Sequence, residues 1–401
     1  MADNIRTIGI LTGGGDVPGL NPAIRAITIR ALREGYRVLG IRRGWAGLVE
    51  LVPEKEADNE CCVTELTEDV VNRAGRTGGT FLHTSRTRPS HLPRALVPEH
   101  LANQYTDEIN DVTPSLLKNL EFLGIDTLIP IGGDDTLSYG QRLHNEGVRI
   151  VAIPKTMDND VPGTDYCIGF STCVARTIQL THSLRTTAGS HERFLVIEVF
   201  GRYAGYTALI PTMAGAADRC CIPEQAFELE KLLDLLVYDR NRNPSKYSVV
   251  LVSEGAQMVG DVGMSFEGDE QEQDQYGHRK LGGIGDRVAA ALKELSPQHN
   301  EGRRVNVVSQ RLGYLVRCGD PDALDAIVPM AFGNLALDLV LSGSYGRLVS
   351  LRNGVYDSVP IDVVTGRKKV IDVHKYYDTE RMRPRYKTLQ RQPLFIMTSD
   401  L

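Results

Sequence analysis

Four short loops hold residue types that can do chemistry on an anion. The first, Thr12-Gly13-Gly14-Gly15-Asp16-Val17-Pro18-Gly19, sets three glycines between an apolar run and a helix-like stretch. Such glycines let backbone N–H groups approach an anion, and the helix N-terminus that follows favours negative charge. The same residues also suit a tight structural turn, and they form neither a Walker loop nor a GxGxxG fingerprint. The second, Gly132-Gly133-Asp134-Asp135-Thr136, offers two carboxylates after two glycines. A carboxylate beside a phosphate site makes sense when a divalent cation bridges them; the alternative is a helix N-cap at Asp134 or Asp135. The third, Pro154-Lys155-Thr156-Met157-Asp158-Asn159-Asp160, has Thr156, Asp158 and Asp160 at alternate positions, which an extended loop would turn towards one cavity. A base together with a cation suits phosphoryl transfer to a hydroxyl, and an Asx-turn cluster with a solvated lysine is the structural alternative. The fourth, Glu198-Val199-Phe200-Gly201-Arg202, ends an apolar run with glycine and arginine. Arginine there is a bidentate phosphate ligand or a surface ion-pair partner.

Each loop follows a run of strand length. Ile8–Thr12, Arg37–Ile41, Thr127–Ile131, Arg149–Ile153, Phe194–Phe200 and Ser248–Ser253 are continuously apolar rather than alternating. That pattern marks strands buried on both faces, hence parallel sheets covered by helices. Asn21–Glu34, Leu281–Leu295 and Asp322–Leu341 read as helices, the last with Ala323, Leu324, Ile327, Met330 and Ala331 at helical spacing. The expected fold is α/β, with two lobes that are each a βαβ stack, and ligands at the carboxyl ends of the strands. Pro89–Asp111 and Gly260–Arg279 read as insertions, the second as a polar surface loop. No topology is assigned from Ser344 onward.

A chain of 401 residues suits two lobes, and 42% hydrophobic with 24% charged residues is ordinary for a globular protein. The charge balance, 45 − 51 = −6, gives no bulk attraction to nucleic acid or to an anionic membrane. Anionic substrates must therefore be met by local Arg and Lys. No apolar run approaches the roughly 20 residues of a membrane span, and the stretch MADNIRTIGILTGGGD lacks a signal core. Seven cysteines, with adjacent pairs Cys61–Cys62 and Cys220–Cys221 and no CxxC, argue against zinc or a disulfide framework and predict a cytoplasmic location.

Taken in order, TGGGDVPGLN, GGDDT, PKTMDND, IGF, SHERFLVIEVFGRYAG, SEG and GYLVRCGDP resemble the phosphofructokinase family across most of the chain. The resemblance implies two Rossmann-like three-layer α/β/α lobes with mostly parallel sheets and the active site between them. It divides the chain into a phosphate-donor lobe, 1–169 plus about 316–366, and a fructose 6-phosphate lobe, 170–315 plus about 367–401. By position, Asp158 matches the base that deprotonates the sugar 1-hydroxyl. Thr156 and Asp160 match residues that position the sugar and reacting groups. Asp134 matches the carboxylate that organises Mg²⁺, and Gly14 and Arg86 match donor-phosphate contacts. Phe200, Gly201 and Arg202 match a segment often written Met-Gly-Arg, and Glu254 a sugar-hydroxyl acceptor. Arg193 and Arg317 match arginines that clamp the 6-phosphate, the first supplied by a neighbouring subunit, so a homodimer or homotetramer is implied. Tyr314 stands where many members have His. A further 6-phosphate arginine is left unassigned between Arg303 and Arg304.

Asp135 and Lys155 bear on the donor. In ATP-using members of the family resembled, glycine usually follows GGD and often precedes TxDND. An aspartate at 135 adds bulk and charge where an α-phosphate would lie, and Lys155 is then available to pyrophosphate. The expectation is thus a pyrophosphate-dependent phosphofructokinase with Mg²⁺, acting on fructose 6-phosphate reversibly. The competing readings are an ATP-dependent phosphofructokinase, a GGD-containing NAD or lipid kinase, and a non-catalytic sugar-phosphate-binding paralogue.

Overall fold

The computed structural model describes residues 6–260, 283–366 and 368–386. The expected surface loop at 260–279 lies, beyond Gly260, outside the described residues. In chain order the main strands are β1 (Thr7–Thr12), β2 (Arg37–Ile41), β3 (Val63–Glu65), β4 (Thr127–Gly132), β5 (Val151–Pro154), β6 (Phe194–Val199), β7 (Arg219–Cys221), β8 (Ser248–Ser253), β9 (Val307–Arg311), β10 (Arg347–Arg352) and β11 (Val355–Pro360). The helices used below are α1 (Leu20–Arg33), α2 (Asp134–Asn145), α3 (Phe170–Ser190), α4 (Tyr206–Met213), α5 (Ile284–His299) and α6 (Ala323–Leu341).

The chain forms two compact units: Met1–Thr156 with Val161–Gly169 and Arg317–Arg367, and Met157–Asp160 with Phe170–Val316 and Lys368–Leu401. Relative to a division at 169, the difference is that Met157–Asp160 groups with the second unit.

The first unit is built on a seven-stranded sheet in the order β11-β10-β5-β4-β1-β2-β3. Its interior pairs are parallel, and antiparallel pairs at β10–β11 and β2–β3 form the edges. Every residue of β1 and β4 is buried, as continuous apolar runs require. Leu11, Trp45, Leu116, Leu137, Leu348 and their neighbours form one core, in which Trp45 meets Tyr139 edge-on at 4.9 Å. Burying each such leucine contributes about 1.5–3 kcal/mol.

The β10–β11 hairpin supplies the topology left open after Ser344. Its turn is Asn353-Gly354, with φ of 51° and 80° and Arg352 paired to Val355. Two positive φ values in a two-residue hairpin loop are what Asn-Gly favours. That dipeptide was the readable signal.

The second unit has a four-stranded, fully parallel sheet in the order β9-β6-β8-β7. β6 and β8 are buried throughout. Arg219 and Asp239 form a bidentate pair at 2.6 and 2.7 Å on this unit's flank.

One correction concerns apolar length. Helix α6 runs 19 residues and is apolar enough to cross a membrane by composition. Its core-facing side packs on α1, where Gly333 allows close approach to Ala23, and it buries Asp325 within the first unit.

Candidate active site

The first unit gathers cations around the glycine loop. Gly13 N–H donates to Ile131 O at 3.0 Å and Gly14 N–H to Ser85 O at 2.8 Å, so β4 and residues 84–86 both hold the loop. Gly14 has φ 78°, which a side chain would strain, and a Cβ there would lie 3.2 Å from Lys155 Nζ. Lys155 is only 3% exposed and donates to Gly15 O at 2.6 Å. It is not the solvated lysine of the structural alternative. Arg317 pairs with Asp16 at 3.1 Å, and a Cβ on Gly15 would meet Arg317 Nη1 at 2.8 Å. Burial pushes the Lys155 ammonium down to about 8, helped by the positive charges of Arg317 and Arg86 and opposed by Asp16. Lys155, Arg317 and Arg86 thus converge on one loop with Asp16 as a counter-charge. Packing like charges together is unfavourable unless an anion binds among them.

Helix α2 starts after Gly132-Gly133 and packs beside this loop. Its N-cap is Gly133, so Asp134 and Asp135 are not caps but first-turn residues, where negative charge suits the helix dipole. Thr136 is 3% exposed, and Cβ atoms on Gly13 or Gly132 would strike its side chain at 2.3 and 2.4 Å. The glycines are therefore required for close packing of α2 on the loop. Among the described residues no three His, Cys, Asp or Glu side chains form a protein-only metal cage. The half-buried carboxylate of Asp134 follows Gly133, where a Cβ would lie 3.4 Å from Lys155 O, and fits Mg²⁺ held largely by phosphate oxygens and water.

Asp135 is exposed and pairs with Arg88 at 2.8 Å. The charge that Asp135 brings is therefore balanced by Arg88.

The second unit gathers the carboxylates. The loop after β5 is not extended: it turns at Met157–Asp158, and Asn159 has φ 55°. Thr156 groups with the first unit, and Asp158 and Asp160 with the second. Asp158 is half-buried, and its carboxyl is held well above the usual carboxylate range by burial, then by Asp160 and Glu254. The Arg202 backbone N–H and guanidinium oppose that rise. Glu254 is likewise raised, mainly by burial, with Arg202 opposing.

The Phe200–Arg202 turn interlocks with Ser253–Gly255. Glu254 N–H donates to Val199 O at 2.9 Å and Gly255 N–H to Gly201 O at 3.1 Å. Gly201 sits at φ 118°, and a Cβ on Gly255 would lie 2.0 Å from Arg202 O. Tyr314 is 69% exposed with its ring 6.4 Å from that of Phe200.

One arginine falls apart from this group. Arg193 precedes β6, whereas Phe200–Arg202 follow it, so the strand separates them by about 20 Å at 3.3 Å per residue. Arg317, read as a partner of Arg193 and Tyr314, lies in the first unit on Gly15 and Asp16. Asp16 and Arg88 were not among the expected site residues. Asp16 was legible as the acid closing the GGGD loop; nothing in the sequence marked Arg88.

The phosphofructokinase family model matches residues 7–340. The chain belongs to the phosphofructokinase family. It is 36% identical over 368 residues to the pyrophosphate–fructose 6-phosphate 1-phosphotransferase of Dictyoglomus thermophilum, covering 91% of this chain and 95% of the relative. It is also 35% identical over 375 residues to the ATP-dependent 6-phosphofructokinase 3 of Streptomyces coelicolor, covering 93% and 98%. Among solved structures, Pichia pastoris phosphofructokinase in the T-state aligns with TM-score 0.70 at 25% identity, over 90% of this chain and 36% of that one. The pyrophosphate-dependent phosphofructokinase of Marinobacter aquaeolei aligns with TM-score 0.69 at 19% identity, over 98% and 91%, which speaks to fold alone. Phosphofructokinases named for either donor are thus similar to this chain to nearly the same degree.

Proposed function

We propose that this phosphofructokinase transfers a phosphoryl group from Mg²⁺-pyrophosphate to the 1-hydroxyl of fructose 6-phosphate, reversibly. The observation that carries the reading is the cluster of buried Lys155 with Arg86 at the Gly13–Gly15 loop, with the Asp135–Arg88 pair on the first turn of α2. Such a cluster suits a compact polyanion, and a paired, bulky residue at 135 leaves less room for a nucleoside than glycine would.

In this reading Gly14, Arg86 and Lys155 hold the donor, and Asp135 limits it to two phosphates. Asp134 would hold the Mg²⁺, which neutralises charge developing on the transferring group. Phe200, Gly201, Arg202, Glu254 and Tyr314 bind the sugar phosphate. Thr156 and Asp160 position the reacting groups. Asp158 accepts the proton of the 1-hydroxyl as that oxygen attacks; its carboxylate is ionised for this once Arg202 and bound cations offset the burial.

The separation of Arg193 from Arg202 along β6 supports a homo-oligomer in which Arg193 serves a neighbouring copy. Arg317 joins the 6-phosphate in the same scheme. A cytoplasmic location is proposed with it, in keeping with seven cysteines present as thiols.

The test is initial rates with purified protein, Mg²⁺ and fructose 6-phosphate, using pyrophosphate or ATP. A kcat/KM at least 100-fold higher with pyrophosphate is expected. A preference for ATP makes the chain an ATP-dependent phosphofructokinase, and no turnover with either donor favours the sugar-phosphate-binding paralogue.

A further inference from the structure

Residues 368–371 belong to the second unit and lie along the turn that carries Arg202. Lys369 is 2% exposed, and its backbone N–H donates to the Asp160 carbonyl at 3.2 Å. Lys368 Nζ stands 3.9 Å over the Tyr203 ring, and Tyr206 Oη donates to Val370 O at 2.9 Å. Ile371 N–H donates to Glu224 Oε1 at 2.8 Å. Both oxygens of Glu224 also accept from Gly205 N–H, at 3.0 and 3.1 Å, at the start of α4. Gly205 is three residues beyond Arg202, whose own N–H donates to Asp158.

These bonds close a circuit. It runs from Asp158 through Arg202 to Gly205, across Glu224 to Ile371, and back through Lys369 to Asp160. Glu224 is a side-chain carboxylate that joins the two limbs of this circuit. We propose that Glu224 is a positioning residue for the acceptor half of the reaction, fastening the Lys368–Ile371 strap so that the carboxylate loop and the Arg202 turn keep one register. The inference rests on the second unit binding the acceptor, and it holds for either donor.

Removing Glu224 leaves the Gly205 and Ile371 N–H groups without their acceptor, and buried donors are costly to abandon. The strap then loosens at Asp160 and Arg202 together. Sugar-phosphate binding falls, while donor binding, set by first-unit residues, is left alone. A purely structural role would lower the active fraction and move neither KM.

The experiment compares wild type with Glu224→Ala, Glu224→Gln and Tyr206→Phe, by steady-state kinetics in both substrates and by thermal melting. Wild-type turnover of fructose 6-phosphate is measured first with each donor; its absence overturns the parent reading. With turnover present, Glu224→Ala should raise the KM for fructose 6-phosphate at least ten-fold and the donor KM less than two-fold. Glu224→Gln, which keeps an oxygen for Ile371 N–H, should recover to within three-fold. If Glu224→Ala does not fold, Tyr206→Phe decides through a smaller shift of the same kind. Equal shifts in both KM values, or a fall in kcat alone with lowered melting temperature, overturn the inference.

Discussion

Lys155 offers the most quantitative test of the donor site. Its ammonium is buried against Gly15 O and beside Arg317 and Arg86, which brings its pKa to about 8. A bound phosphate anion adds negative charge within reach of Nζ and must raise that value, so binding takes up a proton. The sign follows directly. Below pH 8 the lysine is already charged and affinity is full; above it, binding must include protonation and weakens. With a free-enzyme pKa of about 8, Lys155 is about 90% protonated at pH 7 and about 10% at pH 9, so its contribution weakens affinity about ten-fold across that range. Ten-fold corresponds to about 1.4 kcal/mol. Titration calorimetry with Mg²⁺-pyrophosphate, in buffers of different ionisation enthalpy, reads the same linkage as uptake of about half a proton at pH 8. Lys155→Met subtracts the titration of the ligand itself: it should bind more weakly at pH 7 and lack the additional ten-fold change. If wild type and Lys155→Met show the same affinity and the same pH dependence, the lysine does not meet the donor and the reasoning fails.

Three further outcomes follow from the second unit. Asp158→Asn should lower kcat at least 1,000-fold with little change in sugar-phosphate KM, and wild-type kcat/KM should show an acid limb above the ordinary carboxylate range, because Asp158 is raised and must ionise to act. Gly255→Ala forces a Cβ to within 2.0 Å of Arg202 O unless the turns part, so the KM for fructose 6-phosphate should rise at least ten-fold while the donor KM holds. Asp239→Ala leaves the buried Arg219 guanidinium unmatched and should destabilise the fold by about 3 kcal/mol in denaturant melts, with kinetic constants of the folded fraction unchanged.

The sheet cores were legible because burial on both faces writes itself as uninterrupted apolar runs. β2 and β8 match their expected limits, β1, β4 and β6 differ by one residue, and β5 begins two residues later and ends one later than expected, where strand ends meet loops. The edge hairpin β10–β11 was not read, since exposed Val355 and Tyr356 blur an apolar signal; only Asn353-Gly354 announced it. At the candidate site, residue types singled out Lys155, Asp158 and Arg202 because their chemistry would be carried by side chains in loops that follow strands. Partnerships across long stretches of chain were not readable. Arg88 with Asp135, Asp16 with Arg317 and Glu224 with Ile371 depend on folding that brings separate segments together. The extended-loop reading of Thr156–Asp160 failed for a local reason: Asn tolerates left-handed backbone, and Asn159 uses it to turn the loop.

The donor claim is tested most directly in reverse. Purified protein is given fructose 1,6-bisphosphate, Mg²⁺ and orthophosphate, and products are followed by phosphorus NMR. The account predicts fructose 6-phosphate and pyrophosphate in equal amounts, with no nucleotide present. Formation of fructose 6-phosphate only when ADP is added, with ATP as co-product, would contradict it.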